Sequence, residues 1–373
     1  MTWLRPMRPR DVAESHRVAT TLELFFDLFF VVAVAAAGVQ LHERIVENHV
    51  LAGVLGYALV FYAIFLAWLQ YTWFASAYDT GDIVFKLLTL VVMAGVVILA
   101  AGIPRMFEQD FTLGVTGYVV MRLALVAFWV RVARSDPERR PTAIWYAVGT
   151  TLAQCVWVSF LFVPEPLKLP WLVVGIVADM AVPAFAERAG RTPWHPHHIA
   201  ERHGLFTIIV MGENALAVVN AVREGTAEHE LHSGPLWLAA GGLVIVFSIW
   251  WLYFRPDTAH ALENRRSAFV WGYGHYVVLA SIAAIGAGLE AAVSYESGHA
   301  HISLLTAGLA LAVPVALAVL SIWVVQVRPH GYGTIAFPVA AVLVLATAPL
   351  PTQFQSLVIG VVMIGLVAST TRP

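Results

Sequence analysis

The chain has 373 residues, 59% of them hydrophobic and only 12% charged, with a formal net charge of −2 and a mean hydropathy of +0.75. Soluble domains carry about 25% charged residues, so this composition excludes an ordinary soluble protein, and the near-neutral balance gives no electrostatic footprint for nucleic acid. The one cysteine, Cys155, excludes an intramolecular disulfide and a cysteine metal site.

A basic segment with Arg5, Arg8, Arg10 and Arg17 comes first, followed by an apolar run at 20–40. The run is long enough to cross a bilayer and reads as an uncleaved first span. It carries Glu23 and Asp27, spaced i,i+4 and therefore on one helix face. Thr20 and Glu23 fit a capping box, which predicts a helix start near Thr20. Asp27 then lies about 8 Å inside the helix, where a carboxylate must face protein or water.

Further windows of about 20 apolar residues follow at 51–72, 83–102, 111–132, 143–163, 170–187, 204–222, 235–254, 268–290, 302–325, 333–350 and 353–369. The predicted fold class is thus an all-α integral membrane protein of about twelve transmembrane helices, multi-pass in the cytoplasmic membrane, with the lipid bilayer as its first partner. The last two windows are separated only by Pro349-Leu350-Pro351, so the eleventh is open to a re-entrant turn. With the N-terminus inside, cytoplasmic segments hold 17 Lys/Arg and outer loops 4, and Arg122 sits within a span. This bias follows the positive-inside rule and predicts both termini cytoplasmic. A shift of 178 residues places Glu23 on Glu201, Trp73 on Trp251 and Asp79-Thr80 on Asp257-Thr258. The expected organisation is two parallel six-helix repeats, 1–187 and 204–373, joined by a polar His/Pro-bearing linker at 188–203.

Ionisable residues inside spans each need a partner or water. They are Asp27, Arg122, Asp179, Glu213 and His275. Arg122 with Asp27 or Asp179 is the expected pairing, and Asp27, Arg122, Asp179 and Glu213 are the pathway or gating candidates. Glu23 is either a helix cap or part of a proton or cation site with Asp27. Arg202 and Glu213 are eleven residues apart and share a face if their helix is unbroken, and Asn220 extends that stripe. His195, His197, His198 and His203 surround Pro193 and Pro196, which predicts a turn in a solvated loop or a pH-sensitive gate rather than a metal centre. His229, His232, His299 and His301 fall in outer loops. Trp68, Trp73, Trp237, Trp250 and Trp251 fit an interfacial belt. Pro314 falls inside the tenth window, as a packing kink or a broken-helix ligand site.

No P-loop, GxGxxG, HExxH or GxSxG signature occurs. No catalytic residue, metal or cofactor is expected, and the protein is not read as an enzyme. Two motifs carry a resemblance. The opening Glu-Leu-Phe-Phe-Asp-Leu-Phe-Phe-Val-Val-Ala-Val-Ala, Glu23 to Ala35, and the second set His198, Glu201-Arg202, Gly204, Ile208-Ile209 and Gly212-Glu213 are similar to the signatures of the bacterial low temperature requirement A family. Asn214 stands where that family often has Ser. The resemblance implies a polytopic membrane protein linked to growth in the cold, with no assigned substrate. The leading expectation is a transporter or channel for a small solute or ion, with proton coupling supplied by buried carboxylates. The alternatives are a non-transporting sensor or assembly factor, and a membrane-embedded lipid-modifying enzyme built on Glu23, Asp27 and the 195–203 histidines. The sequence does not set the oligomeric state.

Overall fold

A computed structural model describes every residue except 1, 12–13, 15–16, 227–232, 257–258, 331–334 and 372–373. His229, His232 and the Asp257-Thr258 pair lie outside the described residues. The described residues form twelve α-helices and no strand. The first six are α1 (Thr21–Val46), α2 (Val50–Tyr78), α3 (Ile83–Phe107), α4 (Thr112–Ser135), α5 (Arg140–Phe160) and α6 (Glu165–Ala189). The rest are α7 (Pro196–Gly225), α8 (Ser233–Phe254), α9 (Arg265–Glu296), α10 (Leu304–Ile322), α11 (Ala336–Ala346) and α12 (Thr352–Thr371). Each predicted window holds one helix.

Helix starts follow local side-chain chemistry. Thr20 Oγ1 accepts from the Glu23 backbone N–H (3.2 Å), and Glu23 Oε2 accepts from the Thr20 N–H (2.8 Å), which is the expected capping box. Asp82 caps α3 by accepting from the Phe85 N–H, and Ser303 caps α10 by accepting from Thr306. Most helices outrun their apolar windows because their end turns are polar. The clearest case is α7, which begins at Pro196 rather than 204, so the non-helical connection after α6 is only 190–195.

Among the described residues eleven helices are long and apolar enough to cross a membrane. The twelfth, α11, has 11 residues and spans about 16 Å, short of a hydrocarbon core of about 30 Å. Of the about twelve expected spans, eleven described helices have the length to cross, and the eleventh window, which the sequence left open to a re-entrant turn, holds the short one. The chain around it nevertheless folds back: α10 continues into a π-turn at Trp323–Val327, and Ala348 ends up with its carbonyl packed on Gly308, near the start of α10, where no Cβ would fit. Gln355 in α12 donates to the Gly308 carbonyl at 2.8 Å. Gly308 and Ala348 therefore lie at one level. α10 stays helical through Pro314.

The chain forms two compact units, one of residues 1–33 with 63–202 and the other of 34–62 with 203–373. In the first, α3 packs on α4, α4 on α5 and α5 on α6. Gly117 brings α3 and α4 into backbone contact, since a Cβ there would lie 2.6 Å from the Gly95 carbonyl oxygen. In the second, α9 packs on α10, α8 on α12, and α11 between α10 and α12.

The turn before α3 organises the N-terminal segment. Asp82 accepts from the Arg5 N–H (3.1 Å) and pairs with Arg131 at 2.7 Å. Burial opposes its ionisation, but the Phe85 and Arg5 N–H groups, the Thr80 hydroxyl and Arg131 outweigh it and hold the carboxyl below its ordinary value. A lowered carboxylate contributes stability that is complete above its unfolded value, near 3.9, and is lost as pH falls through the folded value. Asp82→Asn keeps a helix cap and loses the ion pair. Its thermal unfolding in detergent is expected to show a loss of about 1–2 kcal/mol at pH 7 and a shallower decline between pH 5 and 3 than wild type.

Candidate functional site

The first unit contains a buried charge cluster built from two i,i+4 pairs. One is Glu23 and Asp27 on α1; the other is His198 and Arg202 on α7. Parallel pairs at matched spacing put two rungs face to face. Arg202 Nη1 lies 2.9 Å from Glu23 Oε1, and its Nη2 donates to Asp27 Oδ1 at 2.7 Å. One guanidinium thus serves two carboxylates, one through each amino nitrogen. His198 Nε2 sits 3.3 Å from Glu23 Oε1. Trp68, on α2, donates its indole N–H to Asp27 Oδ1 at 2.7 Å. None of these four ionisable side chains is more than 1% exposed. Phe26 stacks on Tyr71 at 4.0 Å and walls the cluster, and the Tyr71 hydroxyl meets Thr89 at 2.8 Å.

Charge does not balance here. With His198 neutral, two carboxylates face one guanidinium, so the cluster carries one negative charge and reaches neutrality on taking one proton. Asp27 Oδ2, His198 Nδ1 and the buried hydroxyl of Thr72, one turn from Trp68, make no hydrogen bond among the described residues. With the His198 ring neutral, the cluster combines one unit of net negative charge with incomplete hydrogen bonding on both sides, since Arg202 Nε also makes no hydrogen bond among the described residues.

The start of α7 is fixed by His195, which sequence reasoning placed in a solvated loop. It is 6% exposed. Its Nε2 faces the Glu14 carbonyl at 2.9 Å, which requires Nε2–H, and its Nδ1 accepts from the His198 N–H at 3.3 Å. His195 is therefore the N-cap of the helix that carries His198 and Arg202. The solvated-loop expectation is corrected for His195, His198 and His203, all buried, whereas His197 is exposed. Beside them Arg17 donates to the Ser76 and Ala75 carbonyls, both at 2.8 Å, and covers the last turn of α2. Burial, reinforced by the Arg10 charge, pulls Arg17 down to about 10. Burial and then the Glu23 charge push Asp79 above its usual value.

Arg122 and Asp179 form a separate cluster in the same unit. Arg122 donates to Asp179 Oδ1 (3.0 Å) and Gln70 Oε1 (2.5 Å). Asp179 Oδ2 accepts from the Tyr118 hydroxyl (2.8 Å) and the Trp157 indole (2.7 Å). This carboxylate has a donor on both oxygens and ties α2, α4, α5 and α6 together. Of the two expected partners of Arg122, the structure selects Asp179, and Asp27 belongs to Arg202.

The remaining expected positions lie apart. Glu201 is half-buried and outside the cluster's contacts, and Gly212 is exposed. Glu213 is half-buried and has no hydrogen bond or ion pair among the described residues. Its helix is unbroken from 196 to 225, as face-sharing with Arg202 requires. In the second unit His275 Nδ1 donates to the Trp271 carbonyl (2.7 Å), leaving Nε2 to accept from Tyr253 (3.1 Å) and Gln326 (3.2 Å), the latter on the π-turn. This histidine is fully satisfied as the neutral ring. Sequence reasoning missed Trp68, read as an interfacial residue but fully buried; Trp237, Trp250 and Trp251 are exposed as a belt requires. The signal for the rest was present in the matched i,i+4 spacing of 23/27 and 198/202.

Residues 18–370 match the model of the family described as bacterial low temperature requirement A protein. An uncharacterized protein of Rhizobium meliloti (strain 1021) is 25% identical over 310 residues, covering 77% of this chain and 73% of the relative.

Arg202→Gln leaves two buried carboxylates without their guanidinium and is expected to cost about 3–5 kcal/mol in thermal or denaturant unfolding, with Arg202→Lys intermediate. His195→Ala is expected to cost about 1 kcal/mol through the lost cap, and His195→Asn, which keeps a capping acceptor, to recover most of it.

Proposed function

The chain belongs to the bacterial low temperature requirement A family, and we propose that it carries a small solute or ion across the cytoplasmic membrane, coupled to protons at the Glu23–Asp27–His198–Arg202 cluster. The observation that carries this reading is the cluster's charge count: two buried carboxylates share one arginine, with a histidine within 3.3 Å of one of them. A buried group of this kind is costly in a membrane unless a mobile positive charge completes it. A proton on His198 or a carboxylate does so, and Arg202 keeps that proton exchangeable by competing for the same oxygens. Asp27 is the pathway residue in this reading, and Glu213 a further carboxylate on the route. Arg122 and Asp179 act as a gate frame, holding four helices in one arrangement.

The topology proposed with it is twelve crossings with both termini cytoplasmic. The contact of Ala348 and Gln355 with Gly308, near the start of α10, supports counting α11 as part of a crossing although its helix is short. The two six-helix halves, expected at 1–187 and 204–373, are proposed as parallel repeats, with the non-helical segment 190–195 of the expected 188–203 linker as their cytoplasmic connection.

The test is flux in proteoliposomes under imposed pH and potential gradients, with a panel of small ions, for wild type, Asp27→Asn, Glu23→Gln and Glu213→Gln. Each variant is first shown folded by its thermal transition. Wild type is expected to dissipate a proton gradient, and folded Asp27→Asn to lose at least tenfold of that rate. Absence of wild-type flux under every gradient contradicts transport and favours the sensor or assembly alternative, in which the same pairs only fasten helices.

A further inference from the structure

The first unit carries a second feature, at the start of α3, that the charge cluster does not use. α3 begins at Ile83 and is long and apolar enough to cross a membrane, so whatever is pinned to its first turn lies at a membrane surface. The N-terminal segment is pinned there. The Thr2 and Trp3 carbonyls accept from the Ile83 and Val84 N–H groups at 3.2 and 3.3 Å, and the Arg5 N–H donates to Asp82 at 3.1 Å. Met7 is fully buried, and the Arg10 N–H donates to the Ala77 carbonyl at 2.9 Å. Trp3 and Leu4 nevertheless stay outside, 67% and 59% exposed. A large apolar pair that is fixed in place yet uncovered marks a contact surface, and its neighbour here is the edge of the bilayer.

The charges beside this pair are cations without counter-ions. Asp82, the carboxylate at this turn, is already taken by the Arg5 and Phe85 N–H groups, the Thr80 hydroxyl and Arg131. Lys86 follows Asp82 by one helical turn on α3, and Arg134 follows Arg131 by three residues on α4. The Asp82–Arg131 contact therefore sets Lys86 and Arg134 to either side of one ion pair. Neither makes an ion pair or hydrogen bond among the described residues, and the same holds for Arg8 and for the Trp3 indole N–H. Arg8 and Arg134 are exposed and Lys86 is half-buried. The nearest acids along the chain from Arg134, Asp136 and Glu138, pair with Arg139. Lys86 lies one turn inside a helix of membrane length, so its ammonium extends along its stem to the headgroup level rather than ending among acyl chains.

We propose that the Trp3–Leu4 corner, with Arg8, Lys86 and Arg134, is a binding site for the headgroup of an anionic phospholipid. Trp3 and Leu4 enter the boundary between headgroups and acyl chains, the indole N–H donates to a lipid oxygen, and the three cations supply the positive charge that the phosphate needs. Charge complementarity favours an anionic lipid over a zwitterionic one, whose own cation is repelled by the same side chains. A soluble acidic protein would meet the cations too, but it gives no reason for a tryptophan and a leucine held uncovered at the first turn of a spanning helix. The inference goes beyond the transport reading and does not rest on it.

The test is the thermal stability of the purified full-length protein in a neutral detergent, titrated with dioctanoylphosphatidylglycerol or with dioctanoylphosphatidylcholine. Wild type is expected to show a saturable upward shift with the anionic lipid, weakened by added NaCl, and little shift with the zwitterionic one. The double variant Lys86→Gln with Arg134→Gln is expected to raise the half-saturating concentration at least tenfold, and Trp3→Ala to raise it severalfold. Their transitions in detergent alone show that each is folded. Lys86→Arg with Arg134→Lys, which keeps both charges, is expected to retain the response. Equal shifts with the two lipids, or an undiminished preference for the anionic lipid in the folded double Gln variant, overturn the site. A shift of the same size from glycerol phosphate, which has the headgroup anion without the chains, overturns the lipid as its occupant.

Discussion

One guanidinium shared between two carboxylates is the constraint on which the first unit depends. Arg202 can satisfy Glu23 and Asp27 together only because both pairs are spaced one helical turn apart and face each other in register. Everything around it serves that register. The capping box starts α1 so that Glu23 lies in its first turn, and His195 starts α7 three residues before His198. Trp68 adds a third element by donating to Asp27. Removing the arginine would strand two charges in a medium that cannot solvate them, a larger loss than any packing contact nearby.

The two buried ion clusters in this unit differ in a way that assigns them different work. Asp179 has donors on both oxygens from three side chains, and its arginine is further held by Gln70. Such saturation fixes helices and leaves no room for exchange. The Glu23–Asp27 cluster has two carboxylates to one guanidinium and leaves Asp27 Oδ2, His198 Nδ1 and Arg202 Nε without hydrogen bonds among the described residues. His275 repeats the contrast from the other side, being buried and polar but with both ring nitrogens occupied. Burial alone therefore does not distinguish these ionisable residues; the proposed transport role rests on the incomplete satisfaction of the Glu23–Asp27 cluster.

Much of this fold was legible in the sequence, because bilayer-length apolar windows and helix capping are local properties. All twelve windows hold helices, and the capping box at Thr20–Glu23 forms as its residues imply. The helix ends were less legible. The first turns of α7, 196–203, lack apolar periodicity, and His198 and Arg202 are buried there against the carboxylates of α1. Partner choice was the least legible. Asp27 and Arg202 are 175 residues apart, and spacing on each helix says which residues share a face but not which faces meet. Trp68 was misjudged for the same reason, since its burial depends on a carboxylate from another helix. Likewise the shortness of α11 is hidden in an apolar stretch that looks long enough.

The central claim is that the Arg202 cluster holds one exchangeable proton. The measurement that tests it most directly is infrared difference spectroscopy of the protein in lipid bilayers between pH 8 and pH 5, in H2O and D2O. The account predicts a single protonation change at a carboxyl or imidazole band that shifts in D2O and is altered by Asp27→Asn and by His198→Asn. A cluster that stays fully ionised across that range, with the same spectrum in wild type and both variants, would contradict the account and leave Arg202 as a purely structural lock.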